Sequence, residues 1–380
     1  MIPEITRKLP VVDLKAQYNC LREDILSAVS GVLENGHFIL GPHVAALERE
    51  IAILCETPYA IGVASGTDAL ILALRAAGIQ AGAEVIVPAF SFVATADAVS
   101  ILGATPVFAD VDPSTLNINV DYAASLITER TRGIVPVHLY GQPADMGGVL
   151  NLAERFDLVV IEDCAQALGA SWAGKPVGSL GDYGCISFFP TKNLGAYGDG
   201  GMITAQNQRS AALLRKLRVH GSDKKYCHDE QGMNSRLDEL QAAILRVKLP
   251  HLARWNFERR RVADIYRQVL AHIDEILLPS DAPEAYHVYH QFTIRHYQRD
   301  AIQAALRESG IESVVYYPIP LHLQPMYAHL GYRQGQLPVS ERAATEVLSL
   351  PVFPEMTEED VAYVAENIEK ALSLSLKRSA

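Results

Sequence analysis

The residue of this 380-residue chain with the clearest chemical potential is Lys192, within the stretch CISFFPTKNLGAYGDGG at 185–201. An apolar run at 186–189 leads through Pro190 and Thr191 to that one lysine, and glycines follow at 195, 198, 200 and 201. Pro190 has no N–H to give a ladder, so it ends the strand before it. The glycines let the backbone approach another surface closely. An amine set among apolar residues loses hydration, its pKa falls, and it becomes a nucleophile able to form a Schiff base with a carbonyl. A loop lysine is otherwise a solvated charge, so its neighbours decide.

Three further groups bear on it. Ser65-Gly66-Thr67 stands where a strand hands over to a helix. Its N–H groups, the helix dipole and the Thr67 hydroxyl form either a phosphate site or a plain helix cap. Asp163 ends the apolar run LVVIE, as a cap for the residues from Ala165 onwards or as a buried anion that needs a cation. Glu162 points to the opposite face by strand alternation and reads as structural. No histidine sits at ligand spacing beside Asp163, so no metal is expected. Phe90, in PAFSFVATA, is a core residue or a plate for a planar ligand. Together, a phosphate cup, a strand-end carboxylate, an aromatic plate and a buried lysine are what pyridoxal phosphate requires. A carboxylate beside the pyridine nitrogen keeps it protonated.

The elements that must position these groups alternate. Strands are expected at 59–63, 84–87, 105–109, 133–137 and 158–162, and helices at 19–34, 67–77, 94–102, 121–127 and 146–156. Such alternation builds an α/β layer with a mainly parallel sheet, whose ligands collect at the carboxyl ends of the strands. Further on, 208–220 reads as a helix, and 234–249 as a strong helix capped by Asn234 or Ser235. Helical periodicity continues past Pro250 to about 271, as a connector to a second domain. That domain should hold strands at 291–294 and 312–316 and helices at 299–309 and 358–372. The expected division is 1–255, the large domain with the N-terminal segment, and 256–380.

Bulk properties exclude several classes. A net charge of −11 with no basic block argues against a nucleic-acid surface. Five scattered cysteines without a CxxC pair fit a reducing compartment rather than a disulfide framework or zinc ribbon. The N-terminus lacks the apolar core of a signal peptide, and the apolar stretch at 85–109 is interrupted by Pro88, Asp97, Gly103 and Pro106. No membrane span and a cytoplasmic location are expected.

The motifs SGTDAL, PAFSFVATADA, IEDCAQALGA, SFFPTKNLGAYGDGGM and GMNSRLDELQAAIL, in this order, closely resemble the nucleotide-sugar aminotransferases of the DegT/StrS group. These belong to the aspartate-aminotransferase-like (fold type I) pyridoxal-phosphate enzymes. The resemblance implies an α/β large domain, with a mixed, mainly parallel sheet of the seven-stranded type between helices, and a smaller C-terminal α+β domain. It implies Lys192 as the Schiff-base lysine and proton shuttle, Asp163 on the pyridinium nitrogen and Gln166 at the phenolic oxygen. Phe90 would stack on the ring, and Gly66, Thr67 and Ser187 would hold the phosphate. Asn234 would reach the phosphate of a neighbouring subunit, which implies a homodimer with shared sites.

The segment 218–236 gathers Arg218, His220, Lys224, Lys225, Tyr226 and His228, as a solvated loop or as a cationic lip for a diphosphate. Tyr316, His322 and Gln324 resemble the family's segment near the sugar. The expected reaction moves an amino group from glutamate to a dTDP- or UDP-linked keto-sugar, at the three-position on the form of the HGSDKKYCH loop. Four-position amination, a pyridoxal-phosphate dehydratase and a non-catalytic cofactor-binding regulator are the alternatives; retention of Lys192 favours transamination.

Overall fold

The computed structural model describes residues 8–379. Two helices come first. α1 (Leu14–Asn35) is capped by Asp13, which accepts from the N–H groups of Lys15 and Ala16. α2 (Pro42–Leu54) has its proline in the first turn, where a missing N–H costs nothing. Alternation then runs β1 (Tyr59–Val63), α3 (Gly66–Ala76), β2 (Glu84–Pro88), α4 (Ala94–Ile101), β3 (Thr105–Ala109), α5 (Val120–Ser125), β4 (Thr131–Ile134), α6 (Met146–Phe156) and β5 (Val159–Asp163). β6 (Tyr183–Ser187) and β7 (Gly201–Ala205) complete a seven-stranded sheet in the order β1-β7-β6-β5-β4-β2-β3. Every pairing is parallel except those of β7, which runs antiparallel to both β1 and β6. The strands are almost wholly buried, as strands covered on both faces by helices must be.

Sheet register brings distant residues level. Val63 and Ser187 both pair with Gly201, and Asp163 pairs with Cys185. The lysine stretch is therefore the connection between β6 and β7, delivered at the same sheet edge as the ends of β1 and β5.

The chain continues through α7 (Gln208–Leu217), a loop, α8 (Glu239–Lys248), a single 3₁₀ turn at Leu249–His251 and α9 (Leu252–Leu270). A two-stranded antiparallel sheet, β8 (Phe292–Arg295) with β9 (Val347–Leu350), joins α10 (Arg299–Glu308), α11 (Pro338–Glu346) and α12 (Glu358–Ser379). A second core gathers Tyr266, Phe292, Ile302, Leu350 and Ile368, and Leu9 packs into it beside Ile311. Leu252, at the start of α9, packs instead with residues of α2 and α8. We propose that the division between the two domains falls within α9. No helix among the described residues is long and apolar enough to cross a membrane.

Three expected elements differ most. The helix expected at 19–34 begins earlier, at Leu14. The helix expected at 234–249 begins only at Glu239. Asn234 pairs with Val219, and the Ser235 hydroxyl accepts from the Ala64 N–H, so neither residue caps the helix. The strand expected at 312–316 is reduced to one bridge, Val314 to Ser349.

Candidate active site

A cavity of about 470 Å³ opens at the carboxyl edge of the large sheet, within the usual range for small-molecule sites. Lys192 and Asp163 both line it. Asp163 is the last residue of β5 and is buried. Its Oδ2 accepts from the Thr95 hydroxyl at 2.7 Å, and its Oδ1 accepts from the Ala165 N–H at 3.1 Å. Burial nevertheless pushes the carboxyl up, against the pull of those two donors and of Lys192. The same desolvation brings the Lys192 ammonium down from 10.5 to about 8, with Asp163 opposing. Burial thus works against the charge on both groups, the carboxylate and the amine.

Glu162 turns to the other side of β5. There it accepts from the N–H groups of Gly178, Leu180 and Gly181 and faces His138 at 3.0 Å, a fully bonded anchor behind Asp163. Gln166 is held from two sides: its Oε1 accepts from the Tyr140 N–H at 2.7 Å, and its Nε2 donates to the Tyr317 hydroxyl at 3.0 Å.

The N-terminus of α3 also lines the cavity, where Gly66 and Thr67 are the first helical residues and their N–H groups have no partner within the helix. Ser65 is the cap, accepting from the Asp68 N–H at 3.1 Å. A Cβ on Gly66 would stand 2.7 Å from the Ser187 Cβ, so only glycine lets β6 approach this closely. Gly201 is likewise pressed on to Ser65, where a Cβ would meet the carbonyl at 2.3 Å. The expected Gly66, Thr67, Ser187, Asp163, Gln166 and Lys192 thus share one cavity, with Tyr316 on its wall.

Others are placed differently. Phe90, expected as the plate, does not line the cavity: its ring is buried in a cluster with Val111, Val137 and Leu139. Phe92, half-exposed, lines the cavity and lies near Tyr317. His322 is also corrected, since its buried ring is bonded to Glu341 at 3.1 Å, away from the cavity. Arg218 is no part of a cationic lip, because it is buried against Glu48 and the Gly62 carbonyl. His220, Lys224, Lys225, Tyr226 and Asn234 are exposed, and none lines the cavity of its own chain. His290 and Gln291 line it without having been foreseen. Only their place behind β8, far along the chain, brings them there.

The residues fit pyridoxal phosphate. A helix N-terminus able to hold a phosphate, a buried carboxylate able to face a ring cation, and an amine of lowered pKa line one cavity. Two buried polar atoms on the same wall, Ser91 Oγ and Gln291 Oε1, have no protein partner.

Known proteins agree. Residues 19–369 match the model of the DegT/DnrJ/EryC1/StrS aminotransferase family. A protein of Acidithiobacillus ferrooxidans named UDP-N-acetyl-3-dehydro-alpha-D-glucosamine 3-aminotransferase is 52% identical, over 96% of this chain and 98% of its own. A Geobacillus stearothermophilus protein named pleiotropic regulatory protein is 51% identical, over 95% of this chain and 97% of its own. The structure of Streptomyces venezuelae DesV in complex with a ketimine intermediate superposes with a TM-score of 0.94 at 43% identity, covering 96% of this chain and 99% of that one.

Proposed function

We infer the reaction from the premise that this chain belongs to the DegT/DnrJ/EryC1/StrS aminotransferase family: it is a pyridoxal-phosphate-dependent aminotransferase, acting on a keto-sugar carried by a nucleoside diphosphate. The amino group goes to the three-position of a UDP- or dTDP-linked sugar, in keeping with the name of the Acidithiobacillus relative, and glutamate is the donor. The observation that carries this reading is one cavity shared by Lys192, Asp163 and the N-terminus of α3.

When bound, pyridoxal phosphate supplies an aldehyde and an electron sink. The chain does the rest. The N-terminus of α3, with Thr67 and Ser187, holds the phosphate through N–H and hydroxyl donors. Asp163 keeps a positive charge at the ring nitrogen, and that charge in turn relieves the cost of its burial. Phe92, in place of Phe90, would cover the ring. Gln166, fixed by Tyr140 and Tyr317, orients its phenolic side. Lys192, with a pKa of about 8, is near enough to neutral to carry a proton at Nζ both on to and off the reacting carbon.

The active unit is a homodimer. Asn234 and the loop with His220, Lys224, Lys225 and Tyr226 are exposed and do not line their own cavity, which leaves them free to serve a partner's site. Leu26, Leu33, Phe38 and Ile39, together with Phe189 and Tyr197 on either side of Lys192, expose apolar surface for the interface. The five free cysteines fit the cytoplasm.

Incubation with glutamate and a panel of UDP- and dTDP-keto-sugars tests the reading. An aminated product is expected, whereas a product that has lost water would mean a dehydratase. The name of the Geobacillus relative favours a second reading, a cofactor-binding regulator. That reading would replace the first if no substrate were aminated and the protein bound DNA specifically.

A further inference from the structure

His290 is buried, lines the cavity beside Lys192, and has a tautomer that can be read from its neighbours. A backbone carbonyl can only accept. The Leu168 carbonyl therefore takes a proton from Asn256 Nδ2, at 3.0 Å, which turns Asn256 Oδ1 towards Asn193. Asn193 Nδ2 donates to that Oδ1 at 2.7 Å and to the Val288 carbonyl at 3.1 Å. What Asn193 then offers His290 is its Oδ1, 3.2 Å from the ring Nδ1, so the ring must carry its proton there. The other nitrogen, Nε2, is left with a lone pair and no partner among the described residues.

We propose that His290 is a further working residue of the site, a neutral imidazole locked as the Nδ1–H tautomer by Asn193, whose Nε2 accepts a hydrogen bond from the protonated amine of the amino donor bound beside Lys192. The proposal rests on the aminotransferase reading given above. Burial, with Lys192 and Arg259 nearby, holds the ring well below its ordinary range, so it stays neutral. Asp163, Asp199, Tyr316 and Tyr317 are the other titratable groups lining this cavity, and none is bonded to the imidazole. An acceptor that cannot itself become a cation suits an ammonium ligand, since an imidazolium would repel it.

Two measurements on the cofactor-loaded protein test this. In protein labelled with ¹⁵N-histidine, the signal lost in His290→Gln identifies His290, and it should report a protonated Nδ1 and a bare Nε2 from pH 6 to 9. A ring protonated at Nε2, or one that becomes an imidazolium near pH 7, overturns the proposal. Single-turnover kinetics with L-glutamate form the second arm. His290→Phe should raise the half-saturating glutamate concentration about 10- to 100-fold, the usual worth of a hydrogen bond to a charged group. Its limiting rate should change little. His290→Gln, which keeps a carbonyl acceptor, should stay within about 3-fold of the unmodified protein on the same reasoning. Equal losses in both variants, or a loss confined to the limiting rate, would mark the residue as structural and refute the role. Failure of the unmodified protein to react with glutamate would sink the aminotransferase reading instead, and leave the tautomer result standing.

Discussion

Replacing Lys192 by methionine should destroy the activity and yet stabilise the cofactor-free protein. Methionine keeps the length and the apolar stem of the side chain and removes the ionisable amine. Burial brings that amine from 10.5 to about 8 in the folded chain. At 1.36 kcal/mol per pH unit, the folded state disfavours the charged form by about 3 kcal/mol. The unfolded chain binds the proton more tightly. The cost is therefore fully present below about 8, shrinks as pH rises towards 10.5, and vanishes above it. Urea unfolding of the cofactor-free protein and of Lys192→Met should differ by about 3 kcal/mol in favour of the variant at pH 7, and by less than about 1 kcal/mol at pH 10. A variant less stable than its parent at pH 7, or an advantage of equal size at both pH values, would refute the claim that Lys192 is held against its charged state.

Other substitutions separate roles that the structure distinguishes. Thr95→Val removes a donor from the buried Asp163 carboxylate; it should cost about 1.5–3 kcal/mol of stability and shift the acid limb of the pH–rate profile upward. Phe90→Ala should lower stability by about 3–5 kcal/mol as a core truncation, measured by denaturant melting. Phe92→Ala should stay within about 0.5 kcal/mol in the same assay while weakening cofactor retention on dialysis. Exchanging Lys224 and Lys225 together for glutamate should raise the KM for the nucleotide substrate, most at low salt, and leave the melting temperature unchanged.

Much of this site was legible because each of its parts ends a strand or begins a helix. The apolar runs that became β1, β5 and β6 announce themselves, and Asp163, Ser65-Gly66-Thr67 and Lys192 lie at their ends. What was hidden depends on side-chain direction and on long-range pairing. Beyond Pro88 the regular alternation of β2 lapses, so spacing could not tell whether Phe90 or Phe92 faces the cavity. Leu237 and Leu240 carry helical spacing, but pairing of Asn234 with Val219 keeps the chain extended up to Asp238. His322 sits in a segment resembling the sugar-binding part of the family, yet Glu341 holds its ring elsewhere. The orientation of His290 depends on Asn193, 97 positions earlier, and on Asn256, 63 positions from Asn193. No local pattern carries such a relay.

Among the described residues, burial lowers two lysines to about 8, Lys192 and Lys248. Lys248 donates to the Gly195 carbonyl at 2.7 Å behind the lysine loop, whereas Lys192 opens on the cavity. Borohydride reduction of the protein loaded with pyridoxal phosphate, followed by peptide mass spectrometry, decides between them and tests the central claim directly. A pyridoxyl group on the peptide containing Lys192 alone is the predicted result. Label on Lys248, or no covalent label on a fully loaded protein, would contradict it.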